Sequence, residues 1–358
     1  MDKQLVLSNI TYSVAGERSA LRRDRKRAVR TFSWCAFALA MYIIISQTLS
    51  AVIQLLLIAA VGEERATDIL YNDPYFAMIL QIVVMYCITF PIFYLMIGNT
   101  KKAKYVKSKM SLGELTVLFL VGHGFMTLGA YITNIITSVI TPPDVVPDDS
   151  LDMLISNTPL WLVILVVVII GPIVEELIFR KLIFDRISVY GDRLAIITTA
   201  LAFGLFHLNI SQMVYAGLFG LVLGYAYSKT RNIKYPIILH SLANFMGTVP
   251  ALLVQDDLNV ILEYGTAEML TPEEEMMLLD STWAVLDYAI MTYGLAIAGI
   301  VLFIVLTVKR SYSVPKRCEV RLPARTIPRV TLFNIGVIIY LALTVGLIYL
   351  TSFAPPVA

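Results

Sequence analysis

The stretch 171–244 reads GPIVEELIFRKLIFDRISVYGDRLAIITTALAFGLFHLNISQMVYAGLFGLVLGYAYSKTRNIKYPIILHSLAN. Ionisable or amide side chains interrupt its apolar background in three places, which are Glu175-Glu176 with Arg180, His207, and His240 with Asn244. Ionisable groups inside transmembrane segments are costly, and they usually face a protein interior or a water-filled cavity. The pattern therefore predicts that this stretch carries out chemistry inside a membrane-embedded protein.

Composition places the whole chain in the membrane class. Of its 358 residues, 58% are hydrophobic and 15% are charged, and the mean hydropathy is +0.76. An ordinary soluble domain has about a quarter of its residues charged. The apolar runs are about 20 residues long or more, which is typical of transmembrane helices and unlike the short alternating strands of a barrel. The predicted fold class is all-α, a polytopic membrane protein with about 8–9 transmembrane helices.

Charge and cysteine content exclude further classes. The net charge of +2 is too small to indicate a nucleic-acid partner, so none is expected. The three cysteines, Cys35, Cys87 and Cys318, lie far apart in the sequence. They predict neither a disulfide framework nor a cysteine-based metal site.

Four regions follow one another along the chain. They are a basic N-terminal tail (1–31), N-terminal transmembrane helices (32–156), a helical core that contains the polar motifs (157–250), and an acidic outer segment with two C-terminal transmembrane helices (251–358). Within them, TPPDVVPDDSLD at 141–152 predicts a loop. Thr271, with Pro272 and three glutamates after it, predicts the start of a helix.

The basic residues predict the orientation in the membrane. Lysine and arginine concentrate in the N-terminal tail and in alternate loops, so the positive-inside rule places the N-terminus in the cytoplasm. The predicted fifth span, 193–208, is short and could be re-entrant. On this topology His207 lies near the outer end of the fifth span and Glu175 near the middle of the fourth. The two can meet only if the fourth helix is tilted or the fifth is short and sunk into the bilayer.

The first motif predicts a division of labour between two carboxylates. Glu176 and Arg180 are four residues apart and share a helix face, in an order that favours a salt bridge. Glu175 is five residues from Arg180 and is therefore less tied. We expect Glu176 and Arg180 to neutralise one another while Glu175 acts as a general base. The alternative is a buried ion-pair network that only fixes the helix register.

The two histidine motifs also have helical spacing. Phe203 and His207 lie on one face, and so do His240 and Asn244. The second pair could position a water, donate to an oxyanion, or supply a metal ligand with an orienting amide. A lone histidine on an apolar helix is more often a packing residue, and His123 is interpreted in that way.

Known protease signatures narrow the chemistry. The chain has no HExxH, no GxGD aspartate pair and no GxSxG elbow. Hydrolysis by water that carboxylate and imidazole activate directly, with or without a metal, stays open. Small residues at Gly217, Gly220 and Gly224 predict that the sixth span packs closely behind the site.

The three motifs together resemble those of the CPBP family, the CAAX proteases and bacteriocin-processing enzymes also called Abi. That family carries EExxxR, FxxxH and HxxxN, which occur here in order as Glu175-Glu176-Leu-Ile-Phe-Arg180, Phe203-Gly-Leu-Phe-His207 and His240-Ser-Leu-Ala-Asn244. The resemblance covers roughly residues 157–250 and implies that this core is catalytic.

The resemblance implies roles for individual residues. Glu175 would activate the attacking water with His207, while His240 and Asn244 would stabilise the oxyanion. Glu176, Arg180 and Phe203 would support the site. The family is labelled metalloprotease, and Glu175, His207 and His240 have the chemistry to bind zinc. The sequence leaves open whether a metal takes part.

The resulting functional prediction is an intramembrane endopeptidase in a bacterial cell membrane. Its partners would be the lipid bilayer and a peptide or membrane-associated protein substrate. One alternative is a non-catalytic immunity or scaffold protein with the same fold. Another is a small transporter that uses the Glu/His cluster as a proton relay, which the absence of internal repeats disfavours.

Overall fold

The structure is a computed structural model that describes residues 3–98, 100–140, 155–267, 269–315 and 317–353. Every regular element among these residues is helical, which confirms the all-α class. The predicted loop at 141–152 lies outside the described residues. The helices are α1 (Lys3–Val61), α2 (Glu63–Tyr71), α3 (Tyr75–Ile97), α4 (Leu112–Ile140), α5 (Leu160–Tyr190), α6 (Asp192–Phe206), α7 (Ile210–Thr230), α8 (Lys234–Leu253), α9 (Gln255–Tyr264), α10 (Pro272–Val308), α11 (Ile327–Thr331) and α12 (Ile335–Phe353).

Eight of these helices are long and apolar enough to cross a membrane. They are α1, α3, α4, α5, α7, α8, α10 and α12. The count, made over the described residues, confirms the expectation of about 8–9 spans. Helix α1 runs without a break through the predicted boundary between the basic tail and the first span.

Helix α6 is the predicted fifth span, and it is not among the eight. Its 15 residues extend about 22 Å, less than the roughly 30 Å of a bilayer core. It follows α5 through Gly191, whose φ of 125° is readily adopted only by glycine. Glu175 and His207 are each sixteen residues from Gly191, on opposite arms of this antiparallel pair. Because the two arms are of equal length, Glu175 and His207 lie at similar depth. The fifth helix is short and sunk among the others, which is the second of the two arrangements expected to let them meet.

Helix α7 packs against α6 through small residues. A Cβ atom added to Gly220 would be 3.0 Å from the Cα of Ala200, and one added to Gly224 would be 3.4 Å from the Cα of Ile196. These distances show that the two backbones approach closely, which confirms the close packing predicted for this helix. This packing fixes the position of α6 along α7, which is long enough to cross the membrane.

Two other local predictions are confirmed. His123 is buried in α4 and its Nε2 lies 3.1 Å from the carbonyl oxygen of Thr292 in α10, as expected of a packing residue. At the start of α10 the Thr271 hydroxyl accepts from the Glu274 backbone N–H. The Glu274 carboxylate accepts in return from the Thr271 N–H at 2.7 Å, which completes a capping box.

The contact between α6 and α7 predicts that Gly204→Ala is destabilising. The new Cβ would collide with the carbonyl oxygen of Met213 and lie 3.1 Å from the Cα of Gly217, so the two helices must separate. Overpacking of this kind costs about 1–3 kcal/mol. Thermal unfolding of the purified protein in detergent measures the loss.

Gly217→Ala is the matched control on the facing helix. Its new Cβ would have nothing nearer than 3.8 Å, which is ordinary contact. We expect the melting temperature of this variant to stay close to that of the wild type. Equal melting temperatures for the two variants would contradict the packing described here.

Candidate active site

The adjacent carboxylates of α5 have different surroundings. Glu176 is fully buried, and its Oε2 lies 3.1 Å from Nε of Arg180, which is also fully buried. The Glu175 side chain is 24% exposed. The predicted pairing of Glu176 with Arg180 is therefore present, and Glu175 is the carboxylate that solvent can reach.

His240 of α8 lies between the two carboxylates. Its Nδ1 is 3.1 Å from Oε1 of Glu176, and its Nε2 is 3.8 Å from Oε2 of Glu175. Glu176 thus bridges Arg180 on its own helix and His240 on a helix 64 residues further along. This pairing fixes the imidazole and turns its Nε2 edge towards Glu175.

Phe203 of α6 is the apolar contact that joins the three motifs. Its ring centroid lies 4.9 Å from that of His207 and 5.5 Å from that of His240, both edge to face. The guanidinium carbon of Arg180 lies 5.1 Å from the same ring, within the range of a cation–π contact. This geometry fits the supporting role expected for Phe203.

His207 caps the end of α6. Its Nδ1 lies 2.9 Å from the backbone oxygen of Phe203, which can only accept, so we assign the proton to Nδ1. In the neutral imidazole, Nε2 then carries a lone pair. His207 can therefore accept a proton or orient a water.

Asn244 has a structural partner that the sequence did not predict. Its Nδ2 donates to the backbone oxygen of Val167 in α5 at 2.8 Å. Residues Ile164–Ile170 form a π-helical turn in which Gly171 N–H reaches back five residues to Val166. The next donor in that register would be residue 172, opposite Val167, but residue 172 is proline and has no N–H. The Asn244 amide supplies the missing donor.

A cavity of about 570 Å³ joins the predicted catalytic residues. Its lining includes Glu175, Phe203, His207, His240 and Asn244, whereas Glu176 and Arg180 lie behind it. This volume is within the range of small-molecule and peptide-sized sites. The structure therefore brings side chains from α5, α6 and α8 together around one space.

The predicted set of metal ligands does not come together in this way. Among the described residues, no group of three or more His, Cys, Asp or Glu side chains is arranged to hold a metal ion. Glu175, His207 and His240 nevertheless line the same cavity, and the contacts of Nδ1 with Glu176 in His240 and with the Phe203 carbonyl in His207 leave Nε2 of each ring available. The role of these three residues as metal ligands stays a prediction.

The sequence also missed residues that surround Glu175. The hydroxyl of Tyr86 in α3 lies 3.3 Å from the point where a Cβ on Gly171 would stand, and Oε1 of Glu175 lies 3.8 Å from that point. Both therefore face the space that glycine leaves empty. The ring of Phe219 also packs 5.9 Å from that of His240. Neither Tyr86 nor Phe219 belongs to a recognisable motif, so no local signal identifies them.

Comparison with known proteins supports the motif-based resemblance. Residues 157–246 match the family model described as type II CAAX prenyl endopeptidase Rce1-like. The match covers about a quarter of the chain and contains all three motifs. The resemblance to the CPBP family is confirmed for this segment.

Three bacterial proteins are similar to parts of the chain. The putative membrane peptidase YdiL of Bacillus subtilis is 32% identical over 84 residues, which are 23% of this chain and 34% of that protein. The membrane-embedded CAAX protease MroQ of Staphylococcus aureus is 29% identical over 133 residues, or 35% and 53% of the two chains. UPF0177 protein YxdF of Lactococcus lactis is 28% identical over 152 residues, or 41% and 84%.

The chain spans about a third and about half of the length of the first two of these relatives. No solved structure matches the chain at a significant level. The eight apolar helices and the bacterial relatives together support a multi-pass bacterial membrane protein.

The surroundings of the two carboxylates predict unequal losses of stability in Glu175→Gln and Glu176→Gln. Glu176→Gln leaves Arg180 without a counter-charge in a buried site, which costs about 3–5 kcal/mol of unfolding free energy. Glu175→Gln alters a partly exposed side chain and should lower the unfolding free energy by less than about 1 kcal/mol. Denaturant unfolding of both variants in detergent makes the comparison, and a similar loss in each would argue against this division.

The contact of Asn244 predicts coupling to Pro172. Asn244→Ala leaves the Val167 carbonyl unpaired and should cost about 1–3 kcal/mol. In a Pro172→Ala background, residue 172 regains an N–H that can reach this carbonyl, so the same substitution should cost clearly less. A double-mutant cycle on unfolding free energy tests the coupling. Additive losses would show that Asn244 does not replace the missing donor.

Proposed function

We propose that this chain is an intramembrane endopeptidase that hydrolyses a peptide bond with water activated by Glu175 and His207. The observation that carries the proposal is the shared cavity, because a reachable carboxylate, two imidazoles and an amide from three helices line it together. The match of residues 157–246 to the type II CAAX endopeptidase model supports the reaction class. Residues 157–250 would form the catalytic core.

The water-activating step uses the two groups that have a free acceptor. Glu175 takes a proton from the water, and Nε2 of His207 accepts the second hydrogen bond and orients the lone pair of the oxygen. The resulting hydroxide attacks the carbonyl carbon of the substrate. The carboxylic acid of Glu175 then returns the proton to the leaving nitrogen when the C–N bond breaks.

The oxyanion that forms during attack needs donors already in place. To act as one of them, His240 must carry a proton on each nitrogen, so that Nδ1–H is donated to Glu176 and Nε2–H is offered on the Glu175 side. Asn244 gives one Nδ2–H to Val167 and keeps the second for the substrate oxygen. Because both donors are already held by protein partners, they need little reorganisation in the transition state.

The substrate class follows from the setting and from the relatives. A cavity at membrane depth suits a peptide or a membrane-associated protein, and the lipid bilayer is the other partner. MroQ is named a CAAX protease. The substrate class that we propose is accordingly a CAAX-type or bacteriocin-type polypeptide. We also propose that the basic N-terminus of this chain lies in the cytoplasm.

Catalytic variants test the proposal directly. Glu175→Ala and His207→Gln should each lower cleavage of a quenched-fluorescent peptide library by about 10²-fold or more, because each removes a proton-transfer group. His123→Gln is the matched control, since His123 also contacts a backbone carbonyl but does not line the cavity. It should retain most of the activity.

The same measurement separates the enzyme from a non-catalytic immunity or scaffold protein. If the protein is non-catalytic, the wild type should not cleave the library, or any cleavage seen should be unchanged in Glu175→Ala and His207→Gln. Either result would refute the endopeptidase mechanism.

A further inference from the structure

The catalytic cavity extends from Glu175 towards one end of the helix bundle. Beyond the catalytic residues its lining lies at the C-terminal ends of α4, α8 and α12, at the start of α3, and at the turn between α6 and α7. The exposed residues Ser211 and Thr351 belong to this part of the lining. All these helix ends are on the same side, which we call the acidic face and define by the described residues 62–73, 155–159, 207–209 and 254–267.

The opposite end of the bundle is what we call the basic face, and it is defined by the described residues 98, 100–111, 191, 231–233, 309–315 and 317–326. A buried ionic network closes it. Asp185, at the end of α5, accepts hydrogen bonds from Tyr105 at 3.0 Å and from Tyr227 at 2.9 Å. Arg231 lies 3.7 Å from Asp185 and also pairs with Asp192. Asp185, Asp192 and Arg231 are all buried, so this network is shielded from solvent where α5, α6 and α7 meet.

Two surface segments cover the network. In the first, the Ala103 N–H donates to the Asp185 carbonyl at 2.7 Å and the Ser108 N–H donates to the Thr230 carbonyl at 2.8 Å. In the second, the Glu319 N–H donates to the Val189 carbonyl at 2.9 Å, and the Glu319 carboxylate accepts from the Lys104 N–H at 3.0 Å. The segments are thus bonded to the helix ends and to each other.

The cavity does not reach this covered end. None of the described residues in the basic-face connections lines it. The catalytic residues therefore communicate with the acidic face alone.

Charge assigns the two faces to the two sides of the membrane. Lysines and arginines occur throughout the larger connections of the basic face. Among the residues that define the acidic face, Arg65 is the single lysine or arginine. The positive-inside rule depends on these residues and places the basic face in the cytoplasm. Resting on the proposed endopeptidase function, we propose that the substrate is an extended polypeptide segment presented from the extracytoplasmic side of the membrane.

The lining of the cavity towards the acidic face fits a polypeptide chain. Uncharged amide and hydroxyl side chains line it, among them Gln47, Asn209, Gln212 and Thr248. Such groups can donate to and accept from the backbone of an extended peptide. Met78, Met85 and Met126 lie between them and can adapt to substrate side chains of different shape.

The first test is labelling of cysteines in intact cells with a membrane-impermeant maleimide. In a Cys87→Ala background, Ser211→Cys should react in intact cells, and so should Glu275→Cys near the start of α10. The native Cys318, exposed beside the network, should react only after the cells are permeabilised. If position 211 reacts only after permeabilisation, or not at all while position 275 reacts, the extracytoplasmic opening is wrong.

The second test separates this inference from the proposed function. A membrane-impermeant fluorogenic peptide, selected for cleavage by the purified protein, is added to intact cells that express the wild type or Glu175→Ala. Wild-type cells should cleave it at least tenfold faster than Glu175→Ala cells, and maleimide treatment should remove the excess in Ser211→Cys but not in Glu275→Cys. Glu175-dependent cleavage in permeabilised cells alone would overturn the direction of entry and leave the endopeptidase intact. If no peptide is cleaved in a Glu175-dependent way, the proposed function itself fails.

Discussion

The site depends on the burial of one carboxylate, that of Glu176. A buried charge is tolerated only when its partners are well placed, because its desolvation costs several kcal/mol. Glu176 meets this condition through Arg180 one turn away and His240 on α8. The same ion cluster therefore holds α5 against α8 and orients His240 towards Glu175. Charge pairing that stabilises the fold thereby also sets the geometry around the reachable carboxylate.

Apolar contacts complete this arrangement from a third helix. Phe203 packs against both imidazoles and against the guanidinium of Arg180, so it shields the ion cluster on the side facing α6. A shielded cluster experiences a lower effective dielectric, in which charge–charge interactions are stronger. The four-residue spacing between Phe203 and His207 places the shield and the cavity-lining imidazole on one helix face. The packing of Phe203 and the cavity-lining position of His207 therefore explain why the motif FxxxH has phenylalanine and histidine four residues apart.

Sequence alone predicted the parts of this site that depend on local spacing. The Glu176–Arg180 pair and the helix start at Thr271 follow from one-turn periodicity, and the structure contains both. The span expected at 193–208 was recognised as short, and the structure has a 15-residue helix there, whose position depends on packing against α7. The partner of Asn244 lies 77 residues away at a π-helical turn, and no periodicity connects residues at that distance. Long-range contacts of this kind are what the sequence could not predict.

Under the proposed hydrolysis, the cavity around Glu175 would hold water at membrane depth, and this gives the second ionic network a physical role. Hydrolysis requires water at Glu175, and water requires a polar path from one surface of the membrane. A path open at both ends would be a pore, through which the membrane potential would drive ions at about 2.3 kcal/mol per charge per 100 mV. The buried pairs of Asp185, Asp192 and Arg231, with the two segments bonded over them, close the second end.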